Sequence, residues 1–478
     1  MHRIGKFFLL LSLVASTVSS VTLISSTSSF SQIATPELSP IASKISSSSS
    51  LGTNIFLPHL QKSHTYSNSV LPFGIQMSDL GNSQALSLAQ GMGPGWIRVG
   101  LSWSRLEPSN TTSEGFEWSV YDGGFAAAAQ AGIQPIVAIS GNPSWAASIS
   151  CGPIDPAYLQ DYASFLQALV GRYSAAPYNV HYWELYNEPD NSDMARSWLG
   201  GCWGGKGKEY GDMLKVAYPA IKSADPQAQV VLGSLAYDWF LPSGPFDRAF
   251  LDDILGSGPN QAHAGAYFDV MGFHYYPAFR ADWEGYGTDV IGKTNYLRNK
   301  LASFGVSKPI VVTELNQWSK SPEGNGGSDE EQSDYVVQAF ARSMAAELRF
   351  SIWFTLADYN EWGYGLLNQD LTVKPSYTTY RALSNMMAGA VYRGPMTING
   401  SRPSNVEGYT FTMPGSQERH VMWVTAPGTV RLSFPGSSVV VTDKNGSRTS
   451  VSDSADGAMD GLVTVTVTGR PIYLDVTP

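Results

Sequence analysis

The sequence predicts an α/β fold, a (β/α)8 TIM barrel followed by a small C-terminal antiparallel β-sandwich. From about residue 71, short apolar runs alternate with longer amphipathic stretches, as in repeated β-α units. No glycine-rich phosphate loop follows the first run, and polar and aromatic residues gather where the runs end, which is the catalytic face of a barrel. After about residue 390, apolar residues recur at every second position. A doubly wound parallel sheet is the alternative, and it fits these observations less well.

Eight apolar runs are predicted to form the barrel strands. They are residues 73–76, 96–99, 134–139, 180–186, 229–233, 269–274, 309–313 and 351–355. Between them, apolar residues recur at spacings of three and four, which indicates helices. The clearest helices are predicted at 158–173, 209–221, 290–301, 332–348 and 376–387. Together these segments predict a catalytic barrel over residues 66–389.

Residues 390–478 are predicted to form the sandwich. Strands are predicted at 408–413, 420–424, 430–434, 439–442, 462–467 and 472–476. The tetrapeptide from Asp443 to Gly446 is typical of a hairpin turn. Because few exposed aromatic residues stand out here, a structural cap on the barrel is favoured over a carbohydrate-binding role.

The amino terminus carries the three parts of a secretory signal peptide, predicted at residues 1–25. Basic residues come first, an apolar run from Phe7 to Ala15 follows, and small residues come after it. The run is too short to span a bilayer comfortably, but a retained N-terminal anchor stays open as the alternative. Residues 26–65 are rich in serine and nearly uncharged, which predicts a flexible linker. We therefore expect a secreted or cell-surface protein.

Charge and cysteine content indicate which binding partners and which cellular compartment are compatible with the chain. A net charge of −10 gives the surface no general attraction for nucleic acid or anionic lipid, whereas neutral sugars remain compatible. The two cysteines, Cys151 and Cys202, are an even number in a chain that is expected to be exported. A disulfide between them is therefore predicted, and two free thiols are the alternative.

Two glutamates at predicted strand ends carry the strongest functional signal. Glu188 lies in Asn187-Glu188-Pro189 at the end of the fourth run, and Glu314 follows Thr313 at the end of the seventh. The carboxyl ends of all barrel strands meet at one face. Retaining cleavage of a glycosidic bond needs one carboxyl that donates a proton and another that attacks the anomeric carbon, roughly 5 Å apart. The sequence therefore predicts a glycosidase that uses this pair.

These motifs resemble the signature of clan A glycoside hydrolases, which are retaining (β/α)8 enzymes. The resemblance implies that Glu188 is the acid/base and Glu314 the nucleophile. Within the clan, the barrel-plus-sandwich layout and the His-x-Tyr element at His274 and Tyr276 look most like glycoside hydrolase family 39, a resemblance that covers residues 70–478. It implies an enzyme without a metal or other cofactor that acts on an oligo- or polysaccharide.

Several residues are expected to support the pair or to bind the sugar. Arg98 matches the arginine that clan members place near the nucleophile, where its charge would keep Glu314 ionised; a surface arginine is the alternative. Asn187 could donate to the sugar 2-hydroxyl. The resemblance places His274 and Tyr276 at the site, with the phenol bonding to the nucleophile, although simple packing is the alternative for His274.

Aromatic and acidic residues near strand ends complete the predicted cleft. Indoles stack on the C–H faces of sugars, so Trp145 and Trp353 are candidates, and the clan commonly ends its eighth strand with a tryptophan under the sugar. Glu361 is a candidate sugar ligand in the loop after that strand, yet the paired acids of family xylosidases are absent, which weakens an assignment to xylose. Glu184 is expected to be an inward carboxylate paired with a cation.

The sequence thus predicts a hydrolase that cleaves O-glycosidic bonds of oligo- or polysaccharides by double displacement. The alternative is a catalytically silent saccharide-binding protein on the same fold, and a structural surface protein ranks third. Loop shape, which the sequence leaves open, decides the sugar, the linkage and whether cleavage is internal or terminal.

Overall fold

The computed structural model describes residues 71–110, 115–192, 202–320 and 327–476. The predicted signal peptide, residues 1–25, and the serine-rich linker, residues 26–65, lie outside the described residues. No helix in the described part of the chain has the length and apolar character needed to cross a bilayer.

A closed barrel of eight parallel strands confirms the predicted α/β fold class. The strands follow one another around the barrel in chain order, and the eighth pairs with the first. They are β1 (Phe73–Gln76), β2 (Trp96–Ser102), β3 (Gln134–Ser140), β4 (Tyr182–Asn187), β5 (Gln229–Leu235), β6 (Val270–Tyr275), β7 (Ile310–Leu315) and β8 (Ser351–Trp353). Nearly all strand residues are buried, which explains why the strands read as apolar runs.

Helices form the outer layer of the barrel. They are α1 (Ser83–Met92), α2 (Trp103–Leu106), α3 (Ser119–Gln130), α4 (Leu159–Tyr173), α5 (Gly207–Ala224), α6 (Phe250–Leu255), α7 (Val290–Ser303), α8 (Asp329–Ala345) and α9 (Pro375–Met386). The 3₁₀ helices are Pro156–Tyr158, Pro277–Asp282, Glu284–Tyr286 and Asp453–Asp456. The side chains of Asn82 and Ser328 cap α1 and α8 by accepting the N–H groups of Ala85 and Glu331.

The side chains inside the barrel change from apolar to charged along the barrel axis. An apolar cluster fills the end where the strands begin, and it consists of Trp96, Ile136, Tyr182, Val231, Val270, Val311, Phe350 and Ile352. Two residues further along β2 and β4, on the same inward faces, the side chains are those of Arg98 and Glu184. The charged groups therefore collect at the carboxyl ends of the strands.

Antiparallel sheets in the C-terminal region confirm the predicted sandwich. The strands are β9 (Val391–Pro395), β10 (Val406–Thr412), β11 (Glu418–Val424), β12 (Val430–Pro435), β13 (Ser438–Asp443), β14 (Arg448–Ser452), β15 (Leu462–Val467) and β16 (Ile472–Val476). Six form one sheet in the order β14-β13-β16-β11-β10-β9, and β12 pairs with β15. One apolar cluster joins Met422 and Leu474 of the larger sheet to Phe434 and Val465 of the smaller.

The opposite face of the six-stranded sheet packs on the barrel. Its residues Tyr409, Phe411 and Trp423 belong to the same core cluster as the barrel helices. The larger sheet is thus buried on both faces. That residues 66–389 and 390–478 are two separate domains stays a prediction.

Cys151 and Cys202 form the predicted disulfide. The bond joins the loop after β3 to the loop after β4, across a sequence separation of 51 residues. In the chain-entropy model, closing a loop of this length stabilises the folded state by about 4 kcal/mol. Both loops lie at the carboxyl end of the barrel, so the bond ties together two of the walls around the charged interior.

Candidate active site

Arg98, on β2, organises the charged interior of the barrel. Its guanidinium donates to both oxygens of Glu184, at 2.7 and 3.0 Å, and to Oε1 of Glu314 at 2.6 Å. It also donates to the side-chain oxygens of Gln76 at 2.5 Å and Asn187 at 2.6 Å. The side chain is only 3% exposed, so the alternative of a surface arginine is wrong. One fixed cation therefore holds two carboxylates and two amides from three other strands.

Glu184 has the structural environment that the sequence predicted for it. Besides the ion pair with Arg98, its Oε1 accepts from the Thr313 hydroxyl at 3.2 Å and from the Ser234 N–H at 3.3 Å. The residue is fully buried. This buried carboxyl is fully occupied by donors, and through its two hydrogen bonds with Arg98 it positions that side chain.

Glu314 is held by donors on both oxygens. Arg98 binds Oε1, and the Tyr276 hydroxyl donates to Oε2 at 2.9 Å. Burial raises the pKa of Glu314, and the charge of Arg98 together with these two hydrogen bonds opposes that rise. These partners keep the rise in pKa smaller than at Glu188, so Glu314 is the carboxyl of the pair that ionises first, and the ionised form is the one that can act as a nucleophile.

A β-bulge in β7 turns Glu314 into the barrel. The register with β6 shifts so that Phe273 pairs with Val312 but His274 pairs with Glu314, and Thr313 is left unpaired. Consecutive residues of a regular strand face opposite sides, yet Thr313 and Glu314 both contact interior groups. The extra residue of the bulge re-aims the glutamate, as bulges beside active sites commonly do.

Glu188 lies just beyond β4, and its hydrogen-bonding partner is a histidine, whereas Glu314 contacts a guanidinium. Burial raises its pKa well above the ordinary value, and the negative charges of Glu314 and Asp190 raise it further. Its Oε1 is 2.8 Å from Nδ1 of His274, and burial lowers the pKa of that imidazole well below its usual value. The histidine is therefore neutral, and Glu188 is the carboxyl of the pair that keeps a proton.

Carboxylate oxygens of Glu188 and Glu314 come together within 4.8 Å, in a group that also includes a His274 nitrogen. Retaining glycosidases separate their two carboxyls by about 5–5.5 Å, whereas inverting enzymes leave about 6.5–9.5 Å for a water. The same three side chains could in principle supply ligands to a metal ion. Because Arg98 already places a cation 2.6 Å from Glu314, a second cation would meet repulsion there.

A second buried network of hydrogen bonds lies behind Glu188, and it was not predicted from the sequence. Asp190 accepts the N–H groups of Ala236 and Tyr237 at 3.1 and 2.8 Å. Burial raises its pKa to about 7. This aspartate fastens the segment that carries Glu188 to the loop after β5.

Lys293, on α7, is the cation of that network. Its Nζ donates to Asp238 at 2.7 Å and to the backbone oxygen of His274 at 2.8 Å, and the residue has no exposed surface. Helical spacing could have revealed it, because Val290, Lys293 and Leu297 recur at three- and four-residue steps on one buried face.

Trp353 corrects the sequence-based assignment. Its ring packs beside Tyr335 and Phe340 of α8, and its indole N–H donates to the backbone oxygen of Tyr364 at 3.2 Å. The side chain thus faces the helix layer and cannot lie under a sugar in the barrel mouth. The next residue, Phe354, packs in an aromatic cluster with Tyr276, as expected when neighbouring side chains of a strand point to opposite faces.

The other predicted ligands lie in loops around the barrel mouth. Trp145, in the loop after β3, is half-buried against Trp103, and Glu361, in the loop after β8, is exposed. Neither side chain hydrogen-bonds to Glu188 or Glu314 within the described structure. Asn187 gives its amide oxygen to Arg98, which leaves the amide nitrogen as the donor available to a substrate.

Comparison with known proteins agrees with this geometry. The sequence model of the cellulase family, glycosyl hydrolase family 5, matches residues 62–355. The comparison with curated protein sequences finds no match. The predicted likeness to clan A glycoside hydrolases is thereby confirmed.

Solved structures show the same fold at low sequence identity. A family 39 glycoside hydrolase from Bacteroides cellulosilyticus WH2 has a TM-score of 0.65 at 19% identity, covering 85% of this chain and 81% of that one. A family 30 endoxylanase from Clostridium papyrosolvens C71 has 0.58 at 16%, covering 86% and 97%. A conserved exported protein from Bacteroides fragilis has 0.62 at 13%, covering 87% and 99%.

Proposed function

The chain belongs to the cellulase family, glycosyl hydrolase family 5, and from that membership we propose that it is a retaining glycosidase acting through Glu188 and Glu314. The family makes the chain a glycosidase and so disfavours a silent saccharide-binding protein. The observation that carries the proposal is the approach of the two carboxylates to within 4.8 Å at the carboxyl end of the barrel. The substrate is an oligo- or polysaccharide, and Arg98, Asn187, His274 and Tyr276 assist.

In the first step, Glu188 gives its proton to the glycosidic oxygen while Glu314 attacks the anomeric carbon. The bond from that carbon to the leaving oxygen breaks, and a covalent ester between the sugar and Glu314 forms. Arg98 and Tyr276 orient the attacking carboxylate. The amide nitrogen of Asn187 donates to the sugar 2-hydroxyl, an interaction that strengthens as positive charge develops on the ring.

In the second step, the ionised Glu188 takes a proton from a water that attacks the same carbon. The ester bond breaks, Glu314 returns as a carboxylate, and Glu188 is protonated again. Two inversions leave the anomeric configuration unchanged. Once the ester forms, the negative charge of Glu314 is lost, which lowers the pKa of Glu188 and suits it to act as a base.

Replacement of each glutamate tests these roles. We expect Glu188→Ala and Glu314→Ala each to reduce kcat by at least about a thousandfold, since each step loses an essential group. Azide should partly restore turnover of Glu188→Ala on substrates with a good leaving group, because it can attack the ester without a general base. It should not restore Glu314→Ala by the same route.

Glu347→Gln is the matched control, because Glu347 is an exposed glutamate at the opposite end of the barrel, between α8 and β8. Its rate should equal that of the unaltered enzyme. Near-normal turnover of either alanine variant on a panel of aryl glycosides and polysaccharides would contradict the assignment.

We also propose a secreted or cell-surface location. The disulfide is typical of oxidising compartments, and one structural neighbour is named an exported protein. N-terminal sequencing of the protein recovered outside the cytoplasm should find a start near residue 26. A membrane-bound protein that still begins at residue 1 would indicate the retained anchor instead.

A further inference from the structure

Lys293 is a fully buried cation behind the proposed acid/base, and no step of the proposed mechanism uses it. Its ammonium group has three N–H donors, and each of them has an acceptor. Asp238 accepts at 2.7 Å, the backbone oxygen of His274 accepts at 2.8 Å, and the backbone oxygen of Ala236 accepts as well. We propose that Lys293 is a positioning residue that holds the carboxyl of Glu188 from behind, an inference that rests on the proposed function.

The first connection from Lys293 to Glu188 runs through the end of β6. The backbone oxygen of His274 accepts from Lys293, and Nδ1 of the same histidine lies 2.8 Å from Oε1 of Glu188. This nitrogen is also 3.6 Å from Oε2 of Glu314. Because Lys293 fixes the backbone of His274, the imidazole has a defined position against both carboxyls, and it is closer to the one that protonates the leaving oxygen.

The second connection runs through the loop after β5 to the segment that carries Glu188. Lys293 binds the backbone oxygen of Ala236, and the N–H group of Ala236 donates to Asp190 at 3.1 Å. Asp190 follows Glu188 by two residues and has no exposed surface. Lys293 also fixes this loop through Asp238, so the two connections hold Glu188 both at its side chain and through its backbone.

The backbone conformation of the acid/base segment depends on such support. Glu188 has a φ of +45°, and Tyr237, in the loop that Lys293 holds, has a φ of +46°. Residues other than glycine rarely adopt this left-handed conformation, and they keep it only where surrounding contacts hold the backbone. The N–H group of Tyr237 donates to Asp190 at 2.8 Å, which joins the two segments. We therefore expect release of the loop to move the carboxyl of Glu188 away from the leaving oxygen.

The proposed nucleophile is held by other groups, which makes the role of Lys293 separable. Arg98 and Tyr276 donate to Glu314, and these two hydrogen bonds do not involve Lys293. Loss of Lys293 should therefore impair proton transfer by Glu188 more than attack by Glu314. A substrate with a good leaving group needs only the attack in the first step, whereas a poor leaving group also needs the proton.

Two variants remove the ammonium group. Lys293→Met keeps most of the side-chain volume but none of the donors, and it leaves Asp238 buried without its cation, which costs stability. Lys293→Met/Asp238→Asn removes both charges, so it preserves the folded state better. The side-chain oxygen at position 238 can then still accept the indole N–H of Trp283, which donates to Asp238 at 2.7 Å.

Both variants are compared on two aryl glycosides of the sugar that the unaltered enzyme releases fastest from a glycan panel. A dinitrophenyl group departs without protonation, whereas a methylphenyl group needs the proton of Glu188. We expect kcat/KM to fall at least about tenfold on the methylphenyl glycoside and to change less than about twofold on the dinitrophenyl glycoside. On the latter, kcat and KM should fall together, because the second step lacks its base, and azide should restore kcat.

Lys374→Met is the matched control. Lys374 is also a buried lysine, but its Nζ donates to Ser319, in the loop after β7, at 2.9 Å. This variant should leave the ratio of the two kcat/KM values unchanged. Circular dichroism establishes that each variant is folded.

The outcomes separate the inference from the function beneath it. Equal losses of kcat/KM on both glycosides, or unchanged kinetics on the methylphenyl glycoside, would overturn the positioning role of Lys293 while the glycosidase stands. A double variant that does not fold would assign Lys293 to stability alone and would overturn it too. If the unaltered enzyme hydrolyses no glycan and no aryl glycoside, the proposed function fails and the inference fails with it.

Discussion

Glu188 and Glu314 are chemically identical residues that their neighbours distinguish. Glu314 touches a permanent cation and a hydroxyl donor, whereas the hydrogen-bonding side chain at Glu188 is a neutral imidazole. Burial alone would raise the pKa of both carboxyls. Because Arg98 offsets that effect at Glu314, the shared proton stays on Glu188, as the acid role requires.

The raised pKa of Glu188 has a cost in stability that Glu188→Gln should remove. Below pH 4.5, the ordinary value, the carboxyl is protonated in both folded and unfolded chains. As the pH rises above 4.5, the unfolded chain loses the proton first, so the folded state becomes less stable until the pH passes the folded-state pKa. The glutamine variant should therefore exceed the unaltered protein in free energy of unfolding at pH 7.

Denaturant unfolding at pH 4 and at pH 7 measures this difference. The advantage of the glutamine variant should be present at pH 7 and largely absent at pH 4. The control Glu347→Gln, at an exposed position, should change the free energy of unfolding by less than about 0.5 kcal/mol. An advantage of equal size at both pH values would mean that packing, not the ionisation of Glu188, causes the effect.

Much of the site could be predicted residue by residue. Arg98 and Tyr276 contact Glu314 as the sequence motifs implied. The side of the strand that Trp353 faces could not be predicted, because β8 spans only three residues and so shows too little alternation. The bulge at Thr313 could not be predicted either, since a fully buried strand has no alternation of apolar and polar residues that an extra residue would break.

At the scale of elements, α8 links the barrel to the sandwich through Arg342. This side chain pairs with Asp289 at 3.1 Å and with Glu407 of β10 at 2.7 Å. Its guanidinium also lies 5.2 Å from the ring centroid of Trp423 on β11. Since Arg342 is only 8% exposed, these anions depend on it for charge compensation.

We expect Arg342→Ala to lower the free energy of unfolding by about 3–5 kcal/mol, because it leaves two nearly buried carboxylates without their cation. Thermal or denaturant unfolding measures the loss. Arg402→Ala, at an exposed arginine of the same C-terminal region, is the control and should change stability by less than about 0.5 kcal/mol. A loss at Arg342 no larger than at Arg402 would show that this ion pair does not stabilise the junction.

Elements with a buried face were predictable, and elements without one were not. The eight barrel strands and the long helices were each recognised by their apolar runs or spacing. The strands β9 and β14 were missed because most of their residues are exposed or half-buried, so no period of two appears. The four-residue helix α2 is shorter than any periodic signal can resolve.

At the scale of the whole molecule, the sandwich contributes buried residues to the same apolar core as the barrel helices. The six-stranded sheet gives one face to the small sheet and the other to the barrel, which agrees with the structural cap favoured by the sequence. The proposed catalytic residues come instead from strand ends of the barrel, where the bulge in β7 and the Arg98 cation bring distant parts of the chain together.

In the proposed mechanism Glu314 forms a covalent bond to the sugar and Glu188 does not. A panel of 2-deoxy-2-fluoroglycosides with good leaving groups slows the second step more than the first, so the ester accumulates. Peptide mass spectrometry then locates the added sugar. We expect the label on the peptide that contains Glu314, and we expect no label in Glu314→Ala. A label on Glu188, or turnover of the panel with inverted products and no label, would contradict it.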